Sequence, residues 1–200
     1  ARVGGRIRLM VDCNQGWRLP WDTAAPWGLK EALEVARALA PLDVFWMEEP
    51  LHRADRRGMA ALRAASPIRI AGGEMTREAE AFRDLIEERC LDILQPDVVL
   101  TGGITGVARI ATAARAAGLM LTPHSWTNGI GLLANAHLFA GAGGAPWLEY
   151  PWDPPEWSPE RRDYPLAGPV RHSGGALELG EVPGLGIVLD EASLAATRLT

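Results

Sequence analysis

One theme recurs along the chain: a short apolar run, a polar or glycine-containing tip, then an alanine-rich segment. The runs that read as strands are Ile7–Cys13, Val44–Glu48, Ile68–Glu74, Ile93–Asp97, Leu119–His124 and Trp147–Tyr150. Between them lie "LKEALEVARALA", "RRGMAALRAA", "REAEAFRDLIEE", "GVARIATAARAAG" and "IGLLANAHLFAGA", whose apolar residues recur at helical intervals. Ionisable residues stand at the strand tips in order: Asp12, Glu48, Glu74, Asp97, His124 and Glu149, at intervals of 36, 26, 23, 27 and 25 residues. Each interval matches one strand-plus-helix unit. Strands alternating with helices imply parallel strands joined by right-handed crossovers.

In a β/α barrel every strand ends on the same rim, where active sites sit. A doubly wound sheet concentrates its site at one switch point instead. Six polar tips in succession favour the barrel, so the expected fold is α/β, a partial TIM-like barrel with six strands present. A closed barrel has eight strands and about 250 residues, so two strands are expected outside this chain. The expected division is a partial barrel over residues 1–165 and a glycine- and proline-rich tail over 166–200.

Composition excludes several classes of function. The net charge of −5, with scattered basic residues, gives no nucleic-acid-binding stripe. Arg109 and Arg115 interrupt the longest alanine-rich stretch, so no apolar run reaches membrane-spanning length. The opening "ARVGGRIRLM" lacks the apolar core of a secretion signal, and a start on alanine points to a processed or partial polypeptide. Cys13 and Cys90 have no metal-type spacing and read as reduced thiols of a cytoplasmic protein.

Side chains alternate faces along a strand. In "FWMEEP" this separates Glu48 from Glu49, so only one of them enters the mouth of the barrel. Asp12, Glu48 and Glu74 then stand as carboxylates on three successive tips. Like charges gathered that closely repel one another. A hard divalent cation such as Mg²⁺, which takes oxygen ligands, removes the conflict; separate surface or salt-bridged acids are the alternative.

Six motifs, "VDCNQGW", "WMEEPL", "AGGE", "QPDVVLTGGIT", "TPHS" and "LEYP", stand in register along nearly the whole chain. Together they resemble the mandelate racemase/muconate lactonizing enzyme-like branch of the enolase superfamily. That resemblance implies a (β/α)7β barrel with a capping domain built from both chain ends, to which the tail would return. It also implies a bound Mg²⁺, abstraction of the proton α to a carboxylate with enediolate stabilisation, a small hydroxy-acid or sugar-acid substrate, and a homo-oligomer.

Carried over position by position, Asp12, Glu48 and Glu74 resemble the family's metal ligands, Glu48 being the first acid of its E-E/Q-P motif. Asn14 would help hold a metal-bound or substrate oxygen, and His52 could line the mouth. His124 with Asp97 resembles the family's catalytic dyad, and Glu149 the acid that donates a hydrogen bond to the developing enediolate. The family's second base, a lysine in a K-x-K pattern, has no counterpart, because Lys30 lies in a helix. An acid-sugar dehydratase is the leading expectation. A racemase, epimerase or cycloisomerase of the superfamily, a metal-independent barrel glycosidase and an inactive remnant are the alternatives.

Overall fold

The computed structural model describes residues 4–198, so residues 1–3 and 199–200, at the outer ends of the two expected units, lie outside the described residues. Among the described residues there are five strands: β1 Leu9–Asp12, β2 Val44–Glu48, β3 Arg69–Gly72, β4 Ile93–Leu94 and β5 Met120–Leu121. They pair in parallel in the order β1-β2-β3-β4-β5. Sequential order without reversal is the progression of a β/α barrel; a doubly wound sheet would step back across its first strand.

The helices fall where the periodicity places them: α1 Leu29–Leu39, α2 Arg56–Ala65, α3 Ala79–Glu87, α4 Gly103–Ala116 and α5 Gly129–Ala142, followed by the short α6 Pro159–Arg162 and α7 Glu191–Ala196. Side-chain caps fix the starts of α2 and α5. Asp55 accepts from the Gly58 N–H ahead of α2, and Asn128 accepts from Ile130 and Gly131 ahead of α5.

Alternation along the strands sorts the side chains into two layers. Met47, Ile70 and Leu94 pack with Met59, Leu62, Phe82 and Leu85 of the helices, whereas Trp46, Ala71 and Ile93 form a separate cluster on the opposite face. Phe82 has no exposed surface; burying a side chain of that kind contributes about 1.5–3 kcal/mol. Glu48 shares the face of Trp46, with Asp12 as its partner in register on β1.

The structure departs from expectation at the last strand. Trp147–Tyr150 makes no ladder. It runs beside β5, held by the Thr122 Oγ1 hydrogen bond to the Trp147 carbonyl at 2.7 Å and the Ala145 N–H bond to Leu121 at 3.0 Å. Pro146 and Pro151 bracket it, and proline has no N–H to give a ladder. Strands β4 and β5 are also shorter than expected, because the residues beyond Leu94 and Leu121 leave the ladder.

The tail doubles back: the Ala167 N–H reaches Val188, the Asp190 N–H reaches Pro165, and Asp190 caps α7. Both cysteines are free thiols. Among the described residues, no helix is long and apolar enough to cross a membrane.

Candidate metal and catalytic site

The tips of β1, β2 and β3 bring Asp12, Glu48 and Glu74 together. One oxygen from each lies within 4.8 Å of the other two, and no other such group of ligand side chains occurs among the described residues. The backbone explains how Glu74 arrives there. Gly73 has φ +112°, and a Cβ on it would stand 2.8 Å from the Phe82 ring. Only glycine turns the chain at that point.

Glu49 stands outside the triad. Its φ of +42° breaks the strand, its backbone ties the β1–α1 loop through the Gln15 N–H at 2.9 Å, and its carboxyl packs against Gly16. A Cβ at Gly16 would meet that carboxyl at 2.1 Å, so the glycine of "NQGW" makes room for it. Glu49 is 4% exposed, and its Oε2 has no hydrogen-bond partner.

Electrostatically, the His124 imidazole is the counter-charge beside the cluster, and it does not offset the effect of burial. Burial first, and then the charges of Asp12, Glu149 and Glu74, push Glu48 up to about 8 against the lowering effect of a Gln95 hydrogen bond. Burial likewise lifts Glu49 to about 8, helped by Glu74, Asp12 and Glu48. Desolvation raises Asp12 as well, although the Asn14 hydrogen bonds oppose it. A divalent cation among these oxygens would relieve what raises them, and an all-carboxylate donor set suits a hard ion. The residues fit such a group.

His124 stands beside the triad. Its Nδ1 lies 2.9 Å from Asp97 Oδ2 and its Nε2 lies 3.5 Å from Glu74 Oε2. Burial alone would depress the imidazole, but the Asp97 hydrogen bond and the charges of Glu149, Glu74 and Asp97 raise it to about 9. Asp97 is 2% exposed and its Oδ1 accepts from Asn135 Nδ2 and from the Val99 N–H, both at 2.9 Å. Glu149 accepts a short hydrogen bond from the Ser125 N–H, and burial raises its pKa from the ordinary glutamate value. Met10, Asp12, Trp46, Glu48, Thr122 and Glu149 line a cavity of about 220 Å³ at this end of the sheet.

Asn14 and His52 occupy loops. Asn14 adopts φ +50° and its N–H bonds Asp12 Oδ1 at 2.9 Å, so it shapes the first tip. His52 Nδ1 accepts from the Ala54 N–H at 3.2 Å, closing the turn into α2. Three contacts escaped the sequence reading. Trp17 Nε1 donates to Glu74, Trp46 Nε1 donates to Glu48, and Asn135 braces Asp97. Trp46 was accessible in principle, since it stands two positions before Glu48 on the same strand face. Trp17 and Asn135 reach the site from a loop and a helix, and no periodicity marks them.

The enolase C-terminal domain-like family model matches residues 1–193. The chain is 28% identical to D-galactarolactone cycloisomerase of Agrobacterium fabrum over 98% of its own length and 50% of that protein's. It is 31% identical to L-talarate/galactarate dehydratase of Salmonella typhimurium, over 99% of its length and 44% of the relative's. Among solved structures, L-talarate dehydratase of Polaromonas sp. JS666, complexed with Mg and L-glucarate, superposes with a TM-score of 0.78. That match has 33% identity over 96% of this chain and 47% of the other. The chain thus spans about half the length of the relatives it matches.

Proposed function

Because the chain belongs to the enolase C-terminal domain-like family, in the mandelate racemase-like part of the enolase superfamily, we propose that it acts as a Mg²⁺-dependent acid-sugar dehydratase. The observation that carries this reading is the meeting of Asp12, Glu48 and Glu74 within 4.8 Å, with His124 Nε2 3.5 Å from one of them. Asp12, Glu48 and Glu74 would hold the ion. When bound, Mg²⁺ supplies positive charge beside the substrate carboxylate and so favours loss of the α-proton.

The chain's own residues perform the proton transfers. In its deprotonated form His124 Nε2 takes the α-proton, while Asp97 on Nδ1 fixes the ring and steadies its charged form. The electron pair of the broken C–H bond moves toward the carboxylate. There Glu149, whose pKa burial raises, would in its protonated form donate a hydrogen bond to the oxygen gaining charge. The pair then expels the β-hydroxyl, which leaves as water with the proton from His124. The resulting enol tautomerises to a 2-keto acid.

Incubation with aldonates and aldarates in D2O, followed by proton NMR, tests the proposal. Loss of the α-proton signal and growth of a 2-keto-3-deoxy acid, both abolished by EDTA, are expected. Hydrolysis of a glycoside that survives EDTA would overturn the reading in favour of a metal-independent glycosidase. The similarity to a cycloisomerase over 98% of the chain supports a second reading, which the same spectra distinguish by conversion of a sugar-acid lactone without loss of water.

A further inference from the structure

Two of the three clustered carboxylates each receive an indole N–H. Trp17, in the loop after β1, donates from Nε1 to Glu74 Oε1 at 2.8 Å across 57 residues of sequence. Trp46 donates from Nε1 to Glu48 Oε2 at 3.2 Å along the same face of β2. We propose that Trp17 is a positioning residue for the metal site, holding Glu74 in the orientation in which it completes the triad; the inference rests on the metal-binding reading above.

Donor chemistry is what singles out the indole. A glutamate has three side-chain torsions, and Glu74 follows a glycine turn at φ +112° that offers no side chain to brace it. Something must fix the carboxylate. An arginine or lysine would do so, but its positive charge would compete with the cation for the same oxygens. A histidine could itself become a ligand. An indole only donates, carries no charge and has no lone pair for a metal. It therefore occupies Oε1 while leaving the negative charge of the cluster intact and Oε2 on the side of His124. Groups that orient ligands in this way typically change metal affinity by about 10–100-fold when removed.

Trp17→Phe keeps an aromatic ring and deletes the donor. Calorimetric titration with Mg²⁺ should show affinity weakened by about 10–100-fold in this variant, with its circular dichroism melt close to that of the parent. A second readout uses the parent carrying 5-fluorotryptophan at position 17 alone, placed by codon suppression, so that its ¹⁹F resonance is assigned without the variant. That resonance should move on Mg²⁺ addition, and it decides the question even if the variant fails to fold. Unchanged affinity in a folded Trp17→Phe, or a Trp17 resonance indifferent to saturating Mg²⁺, overturns the proposal while leaving the metal site standing. A folded parent that binds no Mg²⁺ overturns the metal reading itself, and this inference with it.

Discussion

His124 Nδ1 lies 2.9 Å from Asp97 Oδ2, across the 27 residues that carry the chain from one strand tip to the next. The contact commits one nitrogen of the ring to a carboxylate and leaves Nε2 facing the acidic cluster. If Nε2 moves the substrate proton, removing it takes away a general base. His124→Asn should then lower turnover by about two to four orders of magnitude, measured under saturating substrate and Mg²⁺. An unchanged rate in the folded, metal-loaded variant would remove His124 from the mechanism.

Asn135 makes the dyad expensive to disturb from behind. It has no exposed surface, and its amide bridges Asp97 Oδ1 at 2.9 Å and the Val98 N–H at 3.0 Å. Asn135→Ala leaves a buried carboxylate oxygen with one partner fewer and orphans a buried N–H. Each such loss costs about 1–3 kcal/mol, so urea unfolding should show about 2–6 kcal/mol of destabilisation. A variant as stable as the parent would mean that water takes over both bonds.

How far the sequence revealed this site depends on what kind of signal each residue leaves. Asp12, Glu48 and Glu74 were legible because each stands at the tip of an apolar strand; period two separates Glu48 from Glu49, and the resemblance to the family's E-E/Q-P motif selected Glu48. The five major helices were legible through their 3.6-residue pattern. Trp147–Tyr150 has the composition of a strand, but Pro146 and Pro151 have no N–H of their own to extend a ladder at either end. Asn135 and Trp17 left no mark. Their roles come from contacts spanning 38 and 57 residues, which only tertiary packing creates.

Arg162 and Asp163 lash the segment after Glu149 to the tail. Their side chains are fully buried and doubly bonded, with Nε to Oδ1 and Nη2 to Oδ2 both at 2.7 Å. Arg162 also donates to the Pro151 and Val170 carbonyls, and Asp163 accepts from the Val170 N–H. Breaking such a pair strands an uncompensated charge, so Arg162→Met should cost about 3–5 kcal/mol. Replacing both residues with apolar ones should recover much of that loss. The check is a double-mutant cycle by chemical denaturation, and additive losses would show that the pair does not act as a unit.

Cys90 gives a prediction in pH. The thiol has no exposed surface and its Sγ donates to the Arg56 carbonyl at 3.4 Å. Burial first, then the nearby Glu88 charge, pushes it from 9.0 to about 11, against the opposing effect of Arg56 and Arg63. Thiolate is the reactive form, so at pH 8 the folded protein should be alkylated at Cys90 roughly a hundredfold more slowly than the unfolded chain. The sign for stability follows from proton counting: between pH 9 and about 11 the native thiol keeps a proton that the unfolded one has lost. The stabilising contribution is therefore complete below the lower value and fades as pH rises through the upper one. Iodoacetamide labelling with peptide mass mapping, in buffer and in urea, measures the first effect. Equal rates at Cys90 in both would mean that the thiol is neither shielded nor shifted.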